Sequence, residues 1–121
     1  MHNATARTEL EELLGLAKDL VPGEWTVRGD ALLPCTTADG RSGDATSLSF
    51  NGPAPADPAA AIDSVVAAWT ERGFGVDAGT LPDGALRVQF RDTATNLYLQ
   101  FEARPDRTSV VGESRCVPAV E

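Results

Sequence analysis

Apolar residues recur at helical spacing near the start of the chain. Thr8 stands three residues before Glu11, as in a capping box. The apolar positions of this stretch are Leu10, Leu13, Leu14, Ala17, Leu20 and Val21. They predict one amphipathic helix that begins at Thr8 and ends at Pro22 and Gly23, because proline and glycine interrupt a helix. Residues 1–7 are expected to be disordered or to derive from cloning.

From Glu24 onward the apolar positions alternate instead. Trp25, Val27, Ala31 and Leu33 share one phase, and polar or charged residues occupy much of the other. Successive side chains of a strand point to opposite faces of the sheet. The pattern therefore predicts a strand with one buried face, and Cys35 falls in the buried phase if the strand is unbroken.

A second helix and further strands follow. Asp57 and Pro58 form a helix N-cap with proline at the first helical position. A buried stripe is then predicted at Ile62, Val65, Val66 and Trp69. Five later or intervening segments alternate and end in turn residues: 45–50, 74–78, 86–90, 97–103 and 108–116. The predicted order is α-β-β-α-β-β-β-β, in one domain spanning residues 1–121.

These elements place the chain in the α+β class. We expect an antiparallel sheet of about six strands with both helices on one face. The opposite face would then be open. Its outward-pointing residues would be Arg87, Gln89, Arg91, Tyr98, Gln100 and Glu102, with Glu113 and Arg115 nearby. An open face of this kind is either simply solvated or a polar surface that binds a partner, since arginine and tyrosine are favoured at interfaces.

The chain has two cysteines, Cys35 and Cys116. Glu113 and Arg115 prefer water, which places Cys116 in the inner phase of the last strand together with Val110, Gly112 and Ser114. Both sulfurs are thus expected to point inward, and a disulfide is the favoured interpretation. Two inert thiols and a reactive pair stay open as alternatives. Reactivity is disfavoured because the close Cys-x-x-Cys spacing and an internal histidine are both missing.

Few residues offer catalytic or metal-binding chemistry. His2 is the only histidine, which argues against Ser-His-Asp, Cys-His and histidine-rich zinc sites. Loop carboxylates at Asp39, Asp44 and Asp57 are conceivable acids or calcium ligands, but they lack the spacing of a calcium loop. We therefore expect a protein that is not an enzyme, with no cofactor and no metal.

Net charge and composition limit the classes of partner and the cellular locations that fit this protein. The formal net charge is -8, which disfavours nucleic acids and anionic membranes and favours a basic partner. No uncharged stretch approaches the roughly 20 residues of a transmembrane helix. The first residues lack the pattern of a secretory signal, so the protein is either cytosolic or has lost its leader. A disulfide would favour an oxidising, extracytoplasmic location.

Three features together resemble the small actinobacterial lipoprotein domains called LppA-like. These are the separation of Trp25 and Cys35 by nine residues, the stretch from Trp69 to Phe74 that ends the second helix, and Cys116 in the terminal Ser-Arg-Cys-Val-Pro. The resemblance implies an α+β domain exposed at the cell envelope, with a disulfide and no established enzymatic role. The acylated N-terminal cysteine of that family has no counterpart in this chain.

Two functional hypotheses follow. The first is a non-catalytic extracytoplasmic domain that binds a protein partner, in its most specific form an inhibitor or a toxin-immunity protein. The second is a carrier of a small molecule or lipid, with an apolar pocket around Trp25, Trp69 and Phe101. An enzymatic role would depend on the loop aspartates.

Overall fold

The computed structural model describes residues 2–119, which form two helices and seven strands. The helices are α1 (Asn3–Asp19) and α2 (Pro58–Glu71). The strands are β1 (Thr26–Thr36), β2 (Ser42–Gly52), β3 (Asp77–Thr80), β4 (Leu86–Arg91), β5 (Tyr98–Arg104), β6 (Arg107–Glu113) and β7 (Val117–Pro118).

All strand pairs are antiparallel and belong to one sheet with the order β1-β2-β6-β5-β4-β3, to which β7 adds by pairing with β2. Helix α1 packs on β2 and β6, α2 packs on β4 and β5, and the two helices contact each other. The predicted α+β class, element order and placement of both helices on one face are confirmed. The two-residue strand β7 is the addition.

The first helix begins earlier than the sequence pattern indicated. Asn3 opens α1, so Asn3–Arg7 form its first turns. Thr8 is not a cap: its Oγ1 donates a hydrogen bond to the Ala4 carbonyl within the helix. Serine and threonine often bond back to the preceding turn in this way, which explains why Thr8 resembled a helix start without being one. Met1 lies outside the described residues.

Trp69 anchors the core between the helices and the sheet. Its side chain is fully buried, and its Nε1 donates to the Leu13 carbonyl of α1, which ties the two helices together. The predicted cap of α2 is also confirmed, since Asp57 Oδ1 accepts from the backbone of Ala59 and Ala60. The 3.6-residue period of apolar residues in α2 therefore predicts correctly which side of this helix faces the core.

The contact of α1 with the sheet depends on Gly112. A Cβ atom at this position would lie 2.6 Å from Leu10 Cδ1 and 3.1 Å from Leu14 Cδ2. Both distances are too short for carbon atoms, so α1 approaches β6 closely only because position 112 has no side chain.

The predicted buried face of β1 is wrong. Val27 is 60% exposed and Leu33 is 40% exposed, although both belong to the phase expected to be buried. Two physical causes account for this. The register with β2 shifts between Val27 and Gly29, so one extra residue reverses the phase beyond that point. In addition, β1 is the edge strand beside β2, and α1 packs on β2 and β6.

The disulfide between Cys35 and Cys116 is present, with the two Cα atoms 6.0 Å apart. It joins β1 to the segment directly before β7, so it connects chain segments on either side of β2. The expectation that both sulfurs point inward is wrong in detail. Cys35 lies opposite Gly43, on the face away from the helices, because of the register shift, and both cysteines are half-buried. Cys116 also lies beyond the last residue of β6, Glu113.

Candidate functional site

The sheet face opposite the helices is not covered by either helix. The register places its side chains in rows that cross the strands. One row contains Ser49, Val111, Gln100 and Gln89, and the next contains Ser47, Glu113, Tyr98 and Arg91. All six predicted site residues lie on this surface, which we call the open face: Arg87, Gln89, Arg91, Tyr98, Gln100 and Glu102. Five are half-buried by their neighbours and Arg91 is exposed.

Arg91 and Tyr98 are paired at one end of this surface, where β4 ends and β5 begins. They are directly opposite each other on β4 and β5, and the guanidinium carbon of Arg91 lies 4.4 Å from the centroid of the Tyr98 ring. The Tyr98 hydroxyl donates to Gln100 Oε1 on the same face. Stacking on an aromatic ring restricts the arginine side chain while its N–H groups stay available to a ligand.

The electrostatics of Tyr98 reflect this setting. Its partial burial raises the pKa of the phenol above the ordinary value of 10.0, and the nearby charges of Arg91 and Arg87 oppose that rise. Tyr98 is therefore neutral near neutral pH and donates a hydrogen bond rather than carrying charge.

Arginines on the open face differ in whether they are paired. Arg104 is held by Asp83 at 2.6 Å and lies 3.8 Å from Glu102. Arg87 and Arg91 form no ion pair with any residue between 2 and 119. Arg115, expected near this face, lies elsewhere: its Nε donates to Glu9 of α1 at 2.7 Å, on the helix side. Glu113 lies on the open face as expected.

Charge is distributed unevenly over the molecule. On β3 to β6 the open face carries four arginines, at positions 87, 91, 104 and 107, and three acidic residues, at positions 77, 102 and 113. Its local formal charge is thus +1, whereas the whole chain carries -8. The carboxylate excess must therefore lie outside this surface.

A groove of about 370 Å³ runs along one end of the open face, beside the disulfide. Leu33, Pro34 and Ala45 contribute apolar surface to it, and Arg91 and Glu113 contribute charge. Asn96 also lines the groove, and its Nδ2 donates to the Thr36 carbonyl at the end of β1. The groove thus combines an apolar surface with the stacked guanidinium of Arg91.

Two of the three aspartates predicted in loops have structural contacts, and the prediction is wrong for Asp44, which lies within β2. Asp39 accepts hydrogen bonds from Thr37 and Arg41, which lower the pKa of its carboxyl group. Asp57 caps α2. Within residues 2–119, no cluster of three histidine, cysteine or acidic side chains is arranged to hold a metal ion. In the same part of the chain, no helix is long and apolar enough to cross a bilayer.

Comparison with known proteins identifies a solved structure with a similar fold. Neither the protein-family models nor the curated protein sequences gave a match to this chain. Among solved structures, the chain is similar to a DUF4853 family protein from Actinomyces odontolyticus, with 19% sequence identity and a TM-score of 0.72. The similarity covers 98% of this chain and 70% of the other chain. It shows that the fold also occurs in an actinobacterial protein, but it does not confirm an LppA-like lipoprotein.

The sequence pattern located the strand residues of this surface but missed the groove. The alternation from Trp25 to Leu33 predicts a buried Leu33, and Asn96 carries no signal of a groove in the sequence. Asn96 has a positive φ of 67°, which asparagine tolerates better than most residues and which makes it suitable for a tight turn. Gly29 is the feature of the sequence that indicates a change of face before Leu33, because a glycine inside a strand often marks a bulge.

Proposed function

We propose that this chain is a non-catalytic, extracytoplasmic domain that binds a protein partner through the open face. The observation that carries the proposal is that half-buried Arg87 and exposed Arg91 lie on the open face near Tyr98 without an ion-pair partner among residues 2–119. Arginine and tyrosine are among the residues that contribute most to protein interfaces. The disulfide supports a location in an oxidising compartment.

An inhibitor or toxin-immunity role is the most specific form of this proposal, and an LppA-like envelope protein is its suggested origin. The shared fold with an actinobacterial protein is compatible with that origin. The carrier hypothesis is not proposed, because Trp69 and Phe101 are fully buried in the packed core and no observation favours a pocket there.

The experiment is an affinity capture from the native envelope and secreted fractions with three immobilised proteins. These are the wild type, Gln100→Trp, which places a bulky ring in the centre of the open face, and Thr70→Trp, which places the same ring on the exposed side of α2. A protein partner should be recovered by the wild type and by Thr70→Trp and lost with Gln100→Trp. Recovery by all three proteins, or by none, would contradict the proposal.

A further inference from the structure

We infer that the partner presents an acidic segment to the open face, and that Arg87 and Arg91 bind its carboxylates. This inference rests on the proposed function and specifies the chemistry of the partner. It also reverses the expectation drawn from the net charge of -8, which favoured a basic partner. The distribution of charge, rather than its sum, determines which partner a given surface attracts.

The first argument is the local charge. From β3 to β6 the open face carries four arginines and three carboxylates, of which Asp77 lies opposite Gln89, so its formal charge is +1 inside a chain of -8. A basic segment docked there would bring its cations next to Arg87 and Arg91, which form no ion pair with any carboxylate of residues 2–119. An acidic segment would supply the carboxylates that these two arginines lack.

The second argument is the geometry of the two arginines. Arg87 and Arg91 lie on the same face of β4 with Gln89 between them. Residues four positions apart in an extended segment repeat at the same interval on one face, so carboxylates at positions i and i+4 of such a segment match this spacing. Arg91 is held by the Tyr98 ring, which orients its N–H fork for a bidentate carboxylate contact.

The third argument is the groove beside Arg91. Leu33, Pro34 and Ala45 offer an apolar surface next to the guanidinium, so a partner residue adjacent to the bound carboxylate would be aliphatic. Glu113 also lines the groove and opposes a carboxylate. Its charge therefore limits affinity for an acidic segment and provides a way to test the sign of the partner.

The test uses two synthetic peptides of equal length in which serine alternates with either glutamate or lysine, each with one leucine. Binding is followed by NMR titration of labelled protein up to millimolar peptide. The glutamate peptide should shift resonances of β4 and β5, and the lysine peptide should not. Arg87→Gln and Arg91→Gln should each weaken glutamate-peptide binding about tenfold, as expected for loss of a charge-assisted hydrogen bond. Glu113→Gln should strengthen it.

Arg72→Gln is the matched control, because Arg72 is exposed at the end of α2 and forms no ion pair with the described residues. It changes the net charge equally and should leave binding unchanged. The inference is overturned if the lysine peptide binds the open face, if neither peptide shifts it, or if Arg72→Gln weakens binding as much as Arg91→Gln.

Binding of the captured protein to the variants distinguishes failure of the acidic assignment from failure of the proposed function. A partner that is lost with Gln100→Trp but binds Arg87→Gln and Arg91→Gln like the wild type overturns the acidic assignment and leaves the proposed function intact. A partner that binds Gln100→Trp normally overturns the proposed function itself. Thermal unfolding of each variant confirms that these surface substitutions leave the fold in place.

Discussion

Cys35 of β1 is bonded to Cys116, and this bond connects segments on either side of β2 although 81 positions separate the two residues in sequence. It links the exposed edge strand to the end of the chain. The position of β1 therefore depends on a covalent bond as well as on its ladder with β2. The same bond borders the groove of the open face.

Removing the disulfide should destabilise the domain. Closing a loop of this length restricts the unfolded chain, and the chain-entropy model gives about 4 to 5 kcal/mol, with a range of about 2 to 5 kcal/mol for native bridges. We expect a loss in this range for the Cys35→Ser, Cys116→Ser double variant in urea unfolding. Thiol labelling of the unreduced, denatured wild type should detect no free cysteine. Two free thiols would contradict the bridge and the proposed extracytoplasmic location.

Substitution of Gly112 should separate α1 from the sheet. The added methyl group of Gly112→Ala would overlap Leu10 and Leu14, and overpacking of this kind costs about 1 to 3 kcal/mol. Gly79→Ala on the edge strand β3 is the control, because no atom lies within 4 Å of the added Cβ. Urea unfolding should show the loss for Gly112→Ala only. Equal stability of the two variants would show that α1 does not pack closely on β6.

The titration of the Tyr98 phenol reports directly on the open face, because Tyr98 is the only tyrosine in the chain. Its phenol should titrate above pH 10.0, since burial disfavours the phenolate. Its contribution to stability should be complete below that pH and should be lost as the pH rises through the higher folded-state pKa. Ultraviolet absorbance of the phenolate measures the midpoint.

Arg91→Gln should raise the midpoint of Tyr98 further, because it removes a cation that favours the phenolate. Lys18→Gln is the control, since Lys18 lies over Phe50 and leaves the cations named around Tyr98 in place. A wild-type midpoint at or below pH 10.0, or one that is unmoved by Arg91→Gln, would contradict the described stack.

The sequence predicted the parts of the fold in which one side of an element is buried. Helix α2 and strands β4 and β5 were recognised because Trp69, Val88 and Phe101 belong to regular apolar periods that face the same core. The residues of the open face followed from the opposite phase of β4 and β5. Their shared surface could be predicted because the side chains of a strand alternate between the two faces of the sheet with a fixed period of two residues.

Strand β1 could not be predicted in the same way. Its apolar residues are exposed on an edge, and the shift near Gly29 breaks the alternation, so Leu33 was assigned to the wrong face. The direction of Arg115 depends on Glu9, which is distant in sequence and close only after folding. Burial patterns contain no information about such pairings. The groove depends on the exposed apolar residues of β1 and on contacts between residues that are distant in sequence. Its lining could therefore be identified only from the structure.

The affinity of the captured partner tests the central claim most directly. Isothermal titration of the purified partner against the wild type, Gln100→Trp and Thr70→Trp compares a blocked open face with a blocked helix face. We predict that Gln100→Trp weakens binding by about a hundredfold or more, which corresponds to about 2.8 kcal/mol. Thr70→Trp should bind like the wild type. Equal affinities for the wild type and Gln100→Trp would show that the partner does not use the open face.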